Sequence, residues 1–291
     1  MQTPSEVDYA RATSVDHALQ LLAQHGEEAR VIAGGHSLIP MMRLRIAAPE
    51  MLIDINDLDE LKHIKIEGNE IVIGAMVRHQ EVLNSPVLFE HYPIFRVAEK
   101  VIADPVVRTR GTIGGSFCQA DPSEDLSAVG SALKGSVVIR STSGSRTVPI
   151  REFHFGPYMT QVDDGEILTE VRFPIRPGAG SAYEKVERRV GDWPVASAGT
   201  FVVVDGGTIS DAGIGLTAVG AEHFTAPDAE AFLIGKEPSE DNLATAAQMA
   251  ADSCQPVSDQ RGPADYKKHL AKELTLRALR RSAAASQSKG A

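Results

Sequence analysis

Arg30-Val31-Ile32-Ala33-Gly34-Gly35-His36-Ser37-Leu38 is the stretch from which the rest of the chain is best read. Apolar residues run into two glycines, a polar pair and then Leu38-Ile39-Pro40-Met41-Met42. That order predicts a buried strand, a tight loop and a short helix. Glycines allow sharp turns and let a ligand come close to the main chain. Successive N–H groups there, with a helix start behind them, suit phosphate oxygens. A second run of the same kind follows at Arg110-Gly111-Thr112-Ile113-Gly114-Gly115-Ser116. The two loops are expected to hold one pyrophosphate between them.

The 291-residue length implies more than one domain. A hydrophobic content of 43% with 23% charged residues is that of a soluble globular chain. The net charge of -10 argues against nucleic acid as a partner. No apolar run reaches the length of a membrane span. Met1–Glu6 lacks a basic stretch followed by an apolar one, so no secretory leader is expected and the cytoplasm is the default location. Cys118 and Cys254 read as reduced, buried thiols, and two cysteines cannot hold a four-thiolate cluster. The nine histidines show no metal-ligand spacing, so metal chemistry would have to come from another chain.

Ser14 is a plausible N-cap for a helix with Val15, Ala18, Leu19 and Leu22 on one face. Strands are expected at Val31–Ala33 and Pro49–Ile55, making residues 1–60 a small α/β unit. Ile64–Glu67 and Glu70–Gly74 form a hairpin around Gly68-Asn69. Helices are expected at His79–Asn84 and Pro93–Ala103, and an Ala- and Ser-rich one after Asp121–Leu126, ending near Leu133. Strands follow at Val137–Arg140, Arg146–Pro149 and Ile167–Phe173. The cluster Pro174, Pro177, Gly178 and Gly180 marks a boundary between a first domain, 1–176, and a second, 177–282. In the second, Ala182–Val190, Ala196–Val204 and Ala212–Val219 read as an antiparallel sheet. Helices then follow at Ala229–Leu233, Asn242–Ala251 and Asp265–Arg281. Residues 283–291 are small and polar and are expected to be a disordered tail.

Neither GxGxxG nor GxxxxGK[ST] occurs in the required context, which disfavours a Rossmann site and a P-loop. A lone Gly-Gly after a strand is usually only a turn; two of them, each after an apolar run, favour a dinucleotide. The residues Ala33-Gly34-Gly35-His36-Ser37-Leu38-Ile39-Pro40-Met41-Met42-Arg43-Leu44-Arg45 resemble the first FAD loop of the medium subunits of aerobic carbon monoxide dehydrogenases. Thr112-Ile113-Gly114-Gly115-Ser116, with Ala120-Asp121-Pro122 and Asp125, resembles their second FAD loop. Tyr183-Glu184-Lys185-Val186 with Gly191-Asp192-Trp193 resembles a later flavin-side segment. The resemblance runs through nearly the whole chain and extends to the flavoprotein part of molybdenum hydroxylases, including xanthine dehydrogenase.

That resemblance implies an α+β fold: a two-subdomain FAD-binding domain of the vanillyl-alcohol-oxidase/PCMH type (about 1–60 and 61–176), then a smaller C-terminal α+β domain with an antiparallel sheet. It implies non-covalent FAD, with the molybdenum cofactor and two [2Fe-2S] clusters in a large and a small partner subunit, and a dimer of heterotrimers. Electrons would pass from the clusters to FAD and on to an external acceptor: a quinone, oxygen or NAD. Ile32, Ala33, Gly34, Gly35, His36 and Ser37 would contact the pyrophosphate, as would Gly111, Thr112, Ile113, Gly114, Gly115 and Ser116. Asp125 matches a family carboxylate that contacts FAD, or is a helix N-terminal acid. Lys185 matches a lysine beside the flavin ring, where a cation would stabilise the reduced anion, or is an exposed strand lysine. Ile102 and Ile167 are apolar cofactor contacts or plain core. Trp193 stacks on the isoalloxazine or is core. His36 reads as a loop donor rather than a base. Cys118-Gln119 departs from the family pattern, which often has His or Asn there. Arg43, Arg45, Arg108 and Arg110 are solvated charge or a docking face for an acidic iron–sulfur subunit. Two other classes remain: a self-contained flavin oxidase of the same fold, for which no acid/base pair stands out, and a non-catalytic nucleotide-binding module.

Overall fold

Ser14 starts the first helix as expected: its hydroxyl accepts from the His17 amide, and Val15–His25 buries Val15, Ala18, Leu19 and Leu22. In the computed structural model, which describes residues 3–290, this helix covers a three-stranded parallel sheet. The sheet order is Asp8–Arg11, Met51–Asp54, Ala29–Ile32. Parallel strands must be covered and joined by crossovers. The Gly34-Gly35 segment lies in one such crossover, straight after Ala29–Ile32, and leads into the short helix Leu38–Arg43. The edge strand Asp8–Arg11 has no strong apolar signal and was not expected from the sequence.

The next unit is a five-stranded antiparallel sheet in the order Ile64–Glu67, Glu70–Gly74, Ile167–Pro174, Ser136–Ser141, Gly144–Pro149. The hairpin at Gly68-Asn69 forms with Glu67 opposite Glu70. The middle strand comes last in the chain, with Val171 facing Ile73 on one side and Val137 on the other. Ile71, Ile73, Phe95, Phe117 and Phe173 are among the side chains of this unit's core.

The C-terminal sheet runs Gly180–Glu187, Pro194–Asp205, Thr208–Thr217, all antiparallel. Its core includes Val202, Ile214, Leu216, Leu233, Leu243, Leu274 and Leu279. Every residue of the helix Asp125–Ala132 is buried, packed between the C-terminal sheet and the helices Ile94–Val101 and Ile113–Gln119. It fits because Gly213 and Gly215 bring the facing strand so close that a Cβ on either would stand 1.9 Å from a helix carbonyl.

Two expectations are corrected. The second glycine segment is not a loop: Gly114 and Gly115 lie inside the helix Ile113–Gln119, capped by Thr112, whose hydroxyl accepts from the Gly115 amide at 3.0 Å. The C-terminal tail is not irregular either. The last helix runs Ala264–Gly290, and beyond Arg281 it stays packed on the sheet. Ser282, Ala283 and Ser286 are buried, and the Ser286 hydroxyl accepts from the Val204 amide and donates to the Gly178 carbonyl. Residues 1, 2 and 291 lie outside the described residues. Among the described residues, no helix is long and apolar enough to cross a membrane.

Candidate functional site: a cleft between two glycine segments

The two glycine segments touch. Gly34 lies so close to the second segment that a Cβ on it would stand 2.2 Å from the Arg110 carbonyl oxygen. Only a residue without a side chain permits that approach. Gly35 has φ +77°, which any L side chain resists. Both glycines therefore have backbone reasons to be where they are.

A polar network fastens the two segments together. Asp54, at the end of the central parallel strand, accepts from Tyr9 Oη at 2.5 Å and from both the backbone N and Nδ2 of Asn56 at 2.7 Å. Asn56 Nδ2 also donates to the Ala33 carbonyl at 2.7 Å. The Arg78 guanidinium donates to Asn56 Oδ1 at 2.7 Å and to the Arg110 carbonyl at 2.5 Å. Burial lowers the Arg78 pKa, and the neighbouring Arg110 adds to the effect. These hydrogen bonds and the depressed Asp54 pKa, held down by Tyr9 and Asn56 against the effect of burial, mark a fixed joint.

Beside this joint opens a cleft of about 830 Å³. That is within the roughly 300–1,000 Å³ usual for ligand and cofactor sites. It is lined by Ala33, Gly34, Gly35, His36 and Ser37 on one side and by Gly111, Thr112, Gly114, Gly115 and Ser116 on the other. Ile102, Asp125, Ile167 and Trp193 also reach it. Ile32 lies back in its strand, and Ile113 is fully buried in the core.

The donors are unevenly divided. Among the described residues, the amides of Gly34, Gly35, His36 and Ser37 donate to no other protein group. In the second segment, the amides of Ile113, Gly114 and Ser116 are taken by the carbonyls of Val77, Ala75 and Thr112. The first segment thus offers four main-chain donors, while the second offers the Thr112 amide and the Ser116 hydroxyl.

Lys185 is neither exposed nor part of the cleft lining. Its ammonium donates to Asp125 at 2.9 Å and to the Val101 carbonyl at 3.0 Å, with Glu187 at 3.3 Å. Tyr183 donates its hydroxyl to the other Asp125 oxygen. Burial pushes Asp125 up to about 6, with Lys185 and Tyr183 opposing the shift, so it is ionised at neutral pH. Lys185 fixes Asp125, and Asp125 faces the cleft. Burial also pushes the adjacent Glu124, another cleft residue, up to about 7. Cys118 faces the open cleft instead of lying buried; Cys254 is buried as expected. Trp193, 39% exposed on the loop Gly191-Asp192-Trp193, stands at the cleft rather than in the core. Arg78 and His79 carried no sequence signal, because their partners Asn56 and Glu99 lie twenty or more residues away; Glu124 was not singled out either.

The sequence model of the FAD binding domain in molybdopterin dehydrogenase matches residues 5–176, and that of the CO dehydrogenase flavoprotein C-terminal domain matches residues 181–282. This chain belongs to that family. It is 40% identical over 277 residues to the carbon monoxide dehydrogenase medium chain of Hydrogenophaga pseudoflava, covering 95% of this chain and 96% of the relative. It is 35% identical to the glyceraldehyde dehydrogenase medium chain of Sulfolobus acidocaldarius, covering 95% and 98% of the two chains. A solved structure of the Hydrogenophaga pseudoflava carbon monoxide dehydrogenase, lacking the Mo-pyranopterin moiety, superposes with a TM-score of 0.93 at 42% identity, covering 98% of this chain and 99% of that one. The family's cofactor is FAD, and the cleft suits it: free amides and a close glycine approach for a diphosphate, and apolar Ile102, Ile167 and Trp193 for flat rings.

Proposed function

We propose that this chain is the FAD subunit of a molybdenum hydroxylase, most like aerobic carbon monoxide dehydrogenase, taking electrons from the [2Fe-2S] clusters of a small partner subunit. The observation that carries this reading is the joint itself: two glycine segments in van der Waals contact beside a cofactor-sized cleft, with four unclaimed amides on one of them. FAD bound there would supply a redox centre that exchanges electrons singly and in pairs. The Gly34–Ser37 amides and Ser116 would bind its diphosphate. Lys185 and Tyr183 hold Asp125 in one orientation at the cleft. Trp193 and Ile167 would shield the ring system from water.

Residues 1–176 would form the FAD-binding part, with subdomains meeting near residue 60, and residues 177–282 the C-terminal part. The partners would be a large molybdenum subunit and the small iron–sulfur subunit, in a dimer of heterotrimers. Arg43, Arg45 and Arg110 are exposed next to exposed Leu44, Ile46 and Val106, which suits an acidic docking surface; Arg108 instead donates to the Ile102 carbonyl. The acceptor would be a quinone, oxygen or NAD.

The test is to reduce the flavin of the isolated chain and of the assembled complex. Carbon monoxide should bleach the flavin only in the complex that contains the molybdenum and iron–sulfur subunits. Direct bleaching of the isolated chain by an alcohol would favour a self-contained oxidase. Lack of flavin in a chain supplied with FAD would favour a non-catalytic nucleotide-binding module.

A further inference from the structure

From behind the second glycine segment to the cleft runs a row of three side chains, the first two of them buried. Glu99, on the helix Ile94–Val101, is fully buried, and its carboxylate oxygens lie 3.0 and 3.1 Å from Nδ1 of His79. Nε2 of the same ring lies 3.0 Å from Oγ of Ser116. The ring is held in place: the His79 amide donates to the Gly111 carbonyl at 3.1 Å, and a Cβ on Gly111 would stand 2.7 Å from His79 Cδ2.

A carboxylate can only accept, so Nδ1 carries a proton. The remaining freedom is at Nε2. As a neutral imidazole, the ring accepts the Ser116 hydroxyl hydrogen through Nε2, and Ser116 has no hydrogen left for the cleft. As an imidazolium, Nε2–H donates to Ser116 Oγ, and the single hydroxyl hydrogen is free to turn into the cleft that Ser116 lines. This matters because the amides of Gly111, Ile113, Gly114, Gly115 and Ser116 in the second segment are taken.

We propose that the Glu99–His79 pair sets the direction of the Ser116 hydroxyl, presenting it as a donor to the FAD diphosphate when His79 is charged and withdrawing it when His79 is neutral. The proposal rests on the reading of the cleft as the FAD site. His79 is a positioning residue, acting through Ser116. Burial pulls its pKa down, but the charge and hydrogen bond of Glu99 and the charge of Glu124 outweigh burial and the opposing charge of Arg108, leaving it above the ordinary histidine value. The donor is therefore present at low pH and is lost as pH rises through that raised value.

The experiment measures the FAD dissociation constant of the flavin-depleted full chain by fluorescence quenching, from about pH 6 to about pH 9. Wild-type affinity should fall about tenfold along the alkaline limb, the size expected for one charge-assisted hydrogen bond. Ser116→Ala should bind about tenfold more weakly at low pH and show no limb. His79→Gln, whose amide donates to Ser116 without titrating, should bind with a flat profile. Glu124 itself titrates near neutrality, so Glu124→Gln is the control and should keep the limb. A limb that survives in Ser116→Ala, or that disappears only in Glu124→Gln, overturns the proposal even if His79→Gln does not fold. An absence of FAD binding at every pH would overturn the reading of the cleft, and the proposal with it.

Discussion

Gly34 is the residue on which the site's geometry turns, because no side chain fits between it and the Arg110 carbonyl. Gly34→Ala should force the two segments apart, at a cost of about 1–3 kcal/mol in stability. It should also weaken FAD binding at least tenfold; calorimetric unfolding and a FAD titration on the same sample would check both. Lys185 is the second decisive residue. Its side chain is only 3% exposed, and Lys185→Met would leave the buried carboxylate of Asp125 and the half-buried one of Glu187 without their cation. The loss should be about 3–5 kcal/mol, measured by urea unfolding at neutral pH. It should shrink as pH falls, because Asp125, already pushed up to about 6, then protonates instead of staying charged. The sequence marked Lys185 by resemblance but could not show its surroundings: strand periodicity does not say whether a lysine meets water or two acids.

Between elements, the informative structure is the joint of Asp54, Asn56 and Arg78, which links the parallel sheet to the second glycine segment. Arg78→Ala removes the bond to the Arg110 carbonyl and the bond to Asn56 together. FAD affinity should fall about tenfold while the melting temperature drops by only a few degrees, since the hydrophobic cores are untouched. Comparing titrations with thermal scans separates the two effects; an unchanged affinity would remove the joint from the account. Local patterns were legible where one element carried its own signal. Ser14 announced the first helix, Gly68-Asn69 the hairpin, and the paired glycines the two sides of the cleft. The second glycine segment was misread as a loop because Gly-Gly has low helix propensity, and the Thr112 cap and packing against Ala75 override it. Arg78 with Asn56 and His79 with Glu99 were invisible for a different reason. Each pair is about twenty residues apart, and only the fold brings it together.

At the scale of the molecule, the last helix does more than its composition suggests. Ser-Ala-Ala-Ala-Ser-Gln-Ser reads as disordered, yet these small residues let the helix lie close to the C-terminal sheet, where a Cβ on Gly180 would stand 2.0 Å from the Ser282 carbonyl oxygen. Ending the chain after Arg281 removes the bonds of Ser282 to Thr200, of Ser286 to Val204 and Gly178, and of Lys289 to Ala179. Stability should fall by about 2–4 kcal/mol, seen as a lower melting temperature; an unchanged value would mean that the last turns contribute nothing. The same sheet meets the buried helix Asp125–Ala132, and Arg151 pairs with Glu230 across that junction, so damage at the C-terminus should reach the cleft through Asp125. The most direct test of the account is a crystal structure of the full chain with FAD. The diphosphate should lie within hydrogen-bond distance of the Gly34–Ser37 amides and the Ser116 hydroxyl. A diphosphate bound away from both glycine segments would contradict it.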